Sequence, residues 1–447
     1  IHRVRPIRGR GPVCPGRATG PRSQRSTPGR TLVGRVAFGF AAWHTRPPGV
    51  GVGWSAAGAG SGTHAAMVAT SDTPATEGFG HPVARAAYHR AMPPFELGLY
   101  TFGDITPELG GSITPQQRLL DVVDEARLAD EVGLDVFAVG EHHRADFPIS
   151  VPAVVLAAIA ERTSSIRLSS SVNVLSSDDP IRVFQQFATL DLLSDGRAEI
   201  MAGRGSFTES FPLFGYDLRD YDSLYAEKLE MLLEIRRAER LTWSGQHRTP
   251  VQDRGVYPRP VQDPLPVWVA IGGTPESAVR AGTLGLPLAL AIIGGEPARF
   301  APFAKLHRRA SEDAGHGRLP FSINAHGYLA DDSQQASDDA WPAAQLLMNR
   351  IARERGFTPL TREGYEAGHQ LQGHSFTGSP QQVIDKILYH HEVFEHDRFL
   401  MQIIAGSMDH AKVMHAIELL GTRVAPVVRA EIAAKTAEPV ADHQTSG

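Results

Sequence analysis

From Phe95 onward the chain keeps one rhythm: short apolar runs alternate with amphipathic stretches that open on helix caps. Strand then helix, repeated, demands parallel strands joined by helical crossovers, which excludes all-α and all-β folds. The apolar runs read as strands at 95–100, 136–140, 166–175, 198–203, 266–271, 287–293, 321–329 and 398–403. Eight such units match the (β/α)8 TIM barrel of the α/β class. An open dinucleotide-binding sheet would carry Gly-x-Gly-x-x-Gly after its first strand, where this chain has Gly103-Asp104-Ile105. The segment from Asp331 to Thr377 is too long for a simple connection. It is expected to be an insertion between strands 7 and 8, with one or two helices over the barrel mouth.

Helix starts fix the phase. Thr114-Pro115-Gln116-Gln117 and Ser379-Pro380-Gln381-Gln382 each combine an N-cap, a proline at the first helical position and a capping-box glutamine. Asp179-Pro180 and Thr274-Pro275-Glu276 are variants of the same signal. The helix after Pro115 is predicted to bury a stripe of Leu120, Val123, Ala126 and Val132.

Composition bounds what such a barrel can do. No apolar run reaches the roughly 18 residues a membrane span needs. The only cysteine is Cys14, so the body has no disulfide framework, no cysteine zinc site and no cysteine nucleophile. A reducing, cytoplasmic setting fits. The net charge of −5 is split: residues 1–90 hold 12 Arg, no Lys, and only Asp72 and Glu77 as acids. The remainder carries 32 basic and 47 acidic residues, which argues against a nucleic-acid partner. The first stretch is rich in Gly, Pro, Arg and Ser and has no sustained period. Residues 1–92 are therefore read as a disordered or non-native extension, 93–432 as the barrel domain, and 433–447 as a flexible tail.

Chemistry in a TIM barrel sits at the carboxyl ends of the strands. The second strand ends in Gly140-Glu141-His142-His143-Arg144. Strand side chains alternate, so Ala138, Gly140 and His142 share one face and Phe137, Val139 and Glu141 the other. That parity aims His142 into the mouth, where an imidazole serves as acid, base or hydrogen-bond donor. The same alternation sets His142 and His143 apart, and no His-x-His or His-Glu-x-x-His occurs, so a metal site is not expected. His390, His391 and His396 are expected at the surface. Ser169, Ser170 and Ser171 lie within the third strand, where buried hydroxyls either line a polar ligand or bond to neighbouring backbone. On the fourth strand Ala202-Gly203-Arg204-Gly205 offers close backbone approach and a bidentate anion donor. On the fifth, Gly272-Gly273-Thr274 precedes a helix N-terminus, where backbone N–H groups meet phosphate. Together these motifs describe a phosphorylated cofactor across the mouth.

With these blocks in this order, the chain resembles the bacterial-luciferase-like flavin monooxygenase family. The resemblance runs from Phe95 to Ile432. It rests on Glu141-His142-His143, on Asp179-Pro180-Ile181-Arg182 and on the block from Ala188 to Arg197. It rests also on Ala202-Gly203-Arg204-Gly205, Phe214-Gly215, Val267-Trp268-Val269-Ala270 before Gly272-Gly273, and Thr377-Gly378-Ser379-Pro380. It implies a barrel with FMN at the mouth and His142 as the catalytic histidine. It also implies a non-proline cis peptide near Ser171-Val172 under the flavin, with Ser171, Val172 and Asn173 as cofactor-binding residues. Arg204, Gly272, Gly273 and Thr274 fall where the family binds the FMN phosphate. The luciferase places acidic and hydroxyl side chains where this chain has Gly272 and Gly273, which shifts the load to backbone donors and Thr274. The luciferase reactive thiol position is Gly203 here, so no thiol chemistry is implied.

The activity implied is a monooxygenase that uses reduced FMN and O2 to oxidise a small organic substrate. NAD(P)H, acting directly or through a partner reductase, would reduce the flavin, and the family implies a homodimer. Two alternatives stay open: hydride transfer with the deazaflavin F420, and a flavin-binding protein without catalysis.

Overall fold

The computed structural model describes residues 94–106, 108, 113–205, 207–406 and 408–437. The expected extension 1–92 and the end of the tail lie outside these residues. The strands are β1 Glu96–Thr101, β2 Val136–Val139, β3 Arg167–Ser170, β4 Asn173–Val174, β5 Ala198–Gly203, β6 Arg240–Trp243 and β7 Val251–Gly255. They continue as β8 Val267–Ile271, β9 Leu288–Ile292, β10 Phe321–Leu329, β11 Phe376–Gly378 and β12 Arg398–Gln402. The helices are α1 Pro115–Glu131, α2 Pro152–Ala160, α3 Pro180–Leu193, α4 Ser210–Phe214, α5 Tyr221–Arg237 and α6 Pro275–Thr283. Then come α7 Ala301–Asp313, α8 Ser333–Arg355, α9 Arg362–Ala367, α10 Pro380–Phe394, α11 His410–Leu419 and α12 Ala425–Ala437. That last helix continues past the expected boundary at 432.

Eight strands pair in parallel in the order β1-β2-β3-β5-β8-β9-β10-β12, and β12 pairs back onto β1, which closes the barrel. All eight expected strands are present. The expected strand over 166–175 divides into β3 and β4 at a cis peptide between Ser171 and Val172. The insertion after β10 holds α8 and α9, as its length required. The antiparallel hairpin β6–β7 was not anticipated. Its second strand, Val251–Gly255, is mostly exposed and carries no alternating apolar pattern.

Side-chain parity sorts two layers. Leu97, Leu99, Phe137, Val139, Leu168 and Ile200 pack between strands and helices. Tyr100, Val136, Ala138, Met201, Trp268, Ala289 and Leu400 fill the barrel interior. The lower interior is closed by Arg398, which bonds Glu96 at 2.6 Å and Glu199 at 2.5 Å and lies 4.1 Å from the Trp268 ring centre. A buried guanidinium tolerates this place because two carboxylates neutralise it. With the floor filled, the open end is the carboxyl one.

Helix caps behave as the sequence requires in three of four cases. Thr114 accepts from Gln117 N, Asp179 accepts from Ile181 N and Arg182 N, and Ser379 with Gln382 forms a full capping box. Thr274 makes no cap bond. The buried face of α1 also differs from expectation: Leu120 is 54% exposed, while Arg118, Asp121, Val122, Glu125, Ala126 and Ala129 are buried. A buried Arg118–Glu125 ion pair shifts the stripe, an arrangement that apolar periodicity alone cannot reveal.

Candidate functional site at the barrel mouth

The polypeptide after β2 turns back on itself over the mouth. Gly140 N–H donates to Thr101 O, and His142 N–H to Ile149 O. Gly140 has no room for a side chain, because a Cβ there would lie 2.3 Å from Ser171 O and 2.2 Å from the Phe102 ring. This turn buries His142 to 6% exposure, where parity aimed it. Its ring is flanked by Phe102 and Phe147 at 4.6 Å and by Phe207 at 4.5 Å between centroids. Nδ1 lies 3.3 Å from Glu209 Oε1. Burial lowers the His142 pKa, and the Glu209 carboxylate opposes that shift. Burial works against the Glu209 charge as well, but bonds from His142 and from backbone hold its carboxyl below the usual range.

His143 faces away from His142, as alternation required, and its Nε2 lies 3.4 Å from Glu141 Oε1. That bond raises the His143 pKa, whereas burial raises that of Glu141. Glu141 Oε2 accepts from Asn173 Nδ2 at 3.1 Å. Asn173 is 2% exposed, and its side-chain carbonyl has no hydrogen-bond partner. A buried acceptor left unpartnered costs about 1–3 kcal/mol unless a ligand supplies the donor. Among the described residues, no group of His, Cys, Asp and Glu could hold a metal ion.

The three serines divide between the two readings. Ser169 Oγ donates to Ser170 O, and Ser170 Oγ donates to Met201 O, so both serve backbone. Ser171 faces the interior, where Asn324 Nδ2 approaches its hydroxyl at 3.5 Å. Val172, beyond the cis bond, packs on Gly203: a Cβ there would stand 2.7 Å from Val172 Cγ2.

Across the mouth, the phosphate-binding expectation brings its side chains together. Arg204 Nη2 donates to Thr274 Oγ1 at 3.2 Å and to Ser277 Oγ at 3.3 Å, while Nη1 pairs with the exposed Asp222 at 2.5 Å. Thr274 fails as a cap because its hydroxyl is turned to Arg204. Gly273 has φ +117°, a conformation open to glycine, and Gly272 beside it is exposed. Sequence reading missed Glu209, Ser277, Asn324 and the three phenylalanines. Asn324 stands on β10 two residues after Ser322, so strand parity held a usable signal. Glu209 and Phe207 stand in an irregular segment with none.

Three comparisons with known proteins bear on the family and the fold. The family model for luciferase-like monooxygenase matches residues 96–396. A protein of Sinorhizobium fredii, y4wF, is 36% identical over 51% of this chain and 66% of its own length. The N-acetyl-S-alkylcysteine monooxygenase of Bacillus subtilis is 32% identical over 42% of this chain and 55% of its own. An F420-dependent glucose-6-phosphate dehydrogenase of Amycolatopsis mediterranei is 31% identical over 37% and 51%. The chain thus spans about half to two thirds of the length of these curated relatives. Among solved structures, monooxygenase RslO1 from Streptomyces bottropensis superimposes with a TM-score of 0.67 at 22% identity, covering 74% of this chain and 99% of that one. The oxygenating constituent of 3,6-diketocamphane monooxygenase from Pseudomonas putida, solved with FMN, gives 0.60 at 19% identity over 74% and 98%. The likeness to these structures is one of fold. The family match over residues 96–396 makes this chain a member of the luciferase-like monooxygenase family.

Proposed function

We propose that this protein is a flavin-dependent monooxygenase that takes FMN at the barrel mouth and oxidises a small organic substrate with O2. The observation that carries this reading is the convergence of Arg204, Thr274 and Ser277 at the ends of β5 and β8. Those groups suit a phosphate, and the unpartnered Asn173 carbonyl suits the ring N–H of a flavin. Gly203, pressed against Val172, leaves only backbone between the strand and a planar ring. The bound flavin supplies the redox and oxygen chemistry.

The chain's own residues then have defined tasks. Arg204 with Thr274 and Ser277 anchors the phosphate. Ser171, Val172 and Asn173 set the position of the ring. His142 holds or delivers a proton at its imidazole, and burial favours its neutral form, the form that can accept one. Phe102, Phe147 and Phe207 exclude water around it. Reduction of the flavin by NAD(P)H, directly or through a reductase, completes the cycle. The homodimer of this reading rests on the family resemblance.

The test is to identify the bound cofactor by absorbance and mass, then to supply reduced FMN and 18O2 with candidate substrates. Label in the product supports the reading; FMN that does not bind sinks it. One observation keeps a second reading alive, the similarity to an F420-dependent dehydrogenase. In that case F420 binds and is reduced by substrate with no oxygen incorporated.

A further inference from the structure

We propose that Glu209 is the positioning residue for His142: its carboxylate fixes the imidazole proton on Nδ1 and leaves Nε2 as the acceptor. The proposal rests on the catalytic role assigned to His142 above. Glu209 enters from the segment between β5 and α4, while both donors it faces come from the turn after β2. One oxygen, Oε1, lies 3.3 Å from His142 Nδ1 and 3.4 Å from the main-chain N–H of His143. An ionised carboxylate only accepts, so the nitrogen facing it must carry the hydrogen. An acceptor held at one ring nitrogen fixes the proton there and leaves the other nitrogen as the base.

Other charged groups surround the pair: Arg355 of α8 lies 5.4 Å from the Phe207 ring centre and acts on Glu209 through space, as does His143. Arg144 pairs with Asp146 and with Glu354 of α8. Arg350 of α8 takes Asp146 and Glu108. Asp146 and Arg144 also act on His142 through space, with opposite signs. Among the described residues, Glu209 is the carboxylate within hydrogen-bond reach of this imidazole. The flanking rings of Phe102, Phe147 and Phe207 offer no polar group, so removal of Glu209 leaves Nδ1 with no replacement among them to fix the tautomer.

The experiment uses the full chain labelled with 15N-histidine, with the His142 signals assigned by their loss in His142→Gln. The wild-type protein should show protonated Nδ1 at neutral pH. Glu209→Gln keeps an acceptor oxygen and should keep that tautomer, while its His142 titration moves to lower pH because the negative charge is gone. Glu209→Ala should lose the tautomer preference. Turnover in Glu209→Ala should fall on the order of 10- to 100-fold, by analogy with loss of the carboxylate that orients a metal-bound imidazole. KM and FMN affinity should stay within about twofold, and Glu209→Gln should recover part of the rate with the acid limb of its pH profile shifted down. A Glu209→Ala protein with the wild-type tautomer and titration overturns the proposal. The two readings fail separately: the 15N signals need no flavin, so failure of FMN to bind leaves the Glu209 result standing.

Discussion

His142 at the mouth and the pair His390 and His396 beside the starts of β1 and β12 are buried alike, at 6%, 0% and 1% exposure. Burial lowers the pKa of all three. Their surroundings differ in sign. His142 faces the carboxylate of Glu209, with Asp146 also nearby. His390 has Lys386 as its main charged neighbour, and His396 has His391, His390 and Arg308. Aromatic rings pack on the second group, Phe376 at 4.8 Å from His390 and Phe95 at 5.1 Å from His396. Both ring nitrogens of His396 lack hydrogen-bond partners among the described residues. The expectation that His390, His391 and His396 lie at the surface fails for His390 and His396, which are core aromatics that happen to carry nitrogens, while His391 is half-buried. Burial and a depressed pKa do not mark a working histidine. What distinguishes His142 from the core pair is its place at the carboxyl end of a barrel strand, opposite a carboxylate, and that is why the proposed role falls on it.

The sharpest way to break this comparison is His142→Ala. Loss of a positioned acid or base typically costs 10²- to 10⁴-fold in rate, so turnover should drop by about that factor while FMN affinity, measured by fluorescence titration, barely changes. An unaffected turnover number would remove His142 from the chemistry. The reciprocal experiment is His390→Lys. It sets an unpaired cation in a core site already next to Lys386, at a cost of about 3 kcal/mol or more. The urea midpoint should fall accordingly, with turnover per folded molecule preserved. A change in rate at unchanged stability would mean that the two regions are not distinct.

Acid should separate them by a smaller amount. Free imidazole titrates near 6.5, while His390 in the fold is held down to about 3. Below pH 6.5 the unfolded chain takes up a proton that the fold refuses. Stability is therefore full above that pH, declines as pH falls, and levels off only below the folded value. One such group costs about 2 kcal/mol by pH 5. His390→Gln should recover roughly that much of the difference between urea curves at pH 7 and pH 5. A pH dependence as steep as that of the parent would show that other groups carry it.

How much of this was legible in the sequence follows from what each feature depends on. Strand order, the insertion and three caps are local patterns of period and cap chemistry, and those were readable. Parity alone oriented His142 and placed Glu141 with His143. What parity cannot see is pairing across distance. Arg118 and Glu125 are seven apart on α1 and bury each other, which displaces the apolar stripe that Leu120 seemed to define. His390 lies next to His391 in sequence, yet Phe376 of the insertion covers only His390 within 5 Å. Glu209 reaches His142 from another βα unit, so neither periodicity nor motif could join them. The phosphate-side cluster lies between: Arg204 and Thr274 were each legible as strand-end motifs, but their contact appears only when β5 and β8 are adjacent.

That contact supports the smallest effect, and it compares two helix starts with the same residue pattern. Ser379 and Thr274 both precede a proline, and both read as caps. Ser379 closes a capping box on α10, so Ser379→Ala should cost about 1 kcal/mol of stability and leave cofactor binding alone. Thr274 gives its hydroxyl to Arg204 and makes no cap bond, so Thr274→Ala has no cap to lose. Its stability should stay within about 0.5 kcal/mol of the parent. The hydroxyl instead accepts from the Arg204 guanidinium, and in the proposed reading it also donates to the FMN phosphate. Loss of one such hydrogen bond is worth about 1 kcal/mol, or roughly fivefold in FMN dissociation constant. Riboflavin, which lacks the phosphate, should bind the variant and the parent equally. Equal weakening for FMN and riboflavin would place the phosphate elsewhere, and a fall in stability to match that of Ser379→Ala would make Thr274 an ordinary cap.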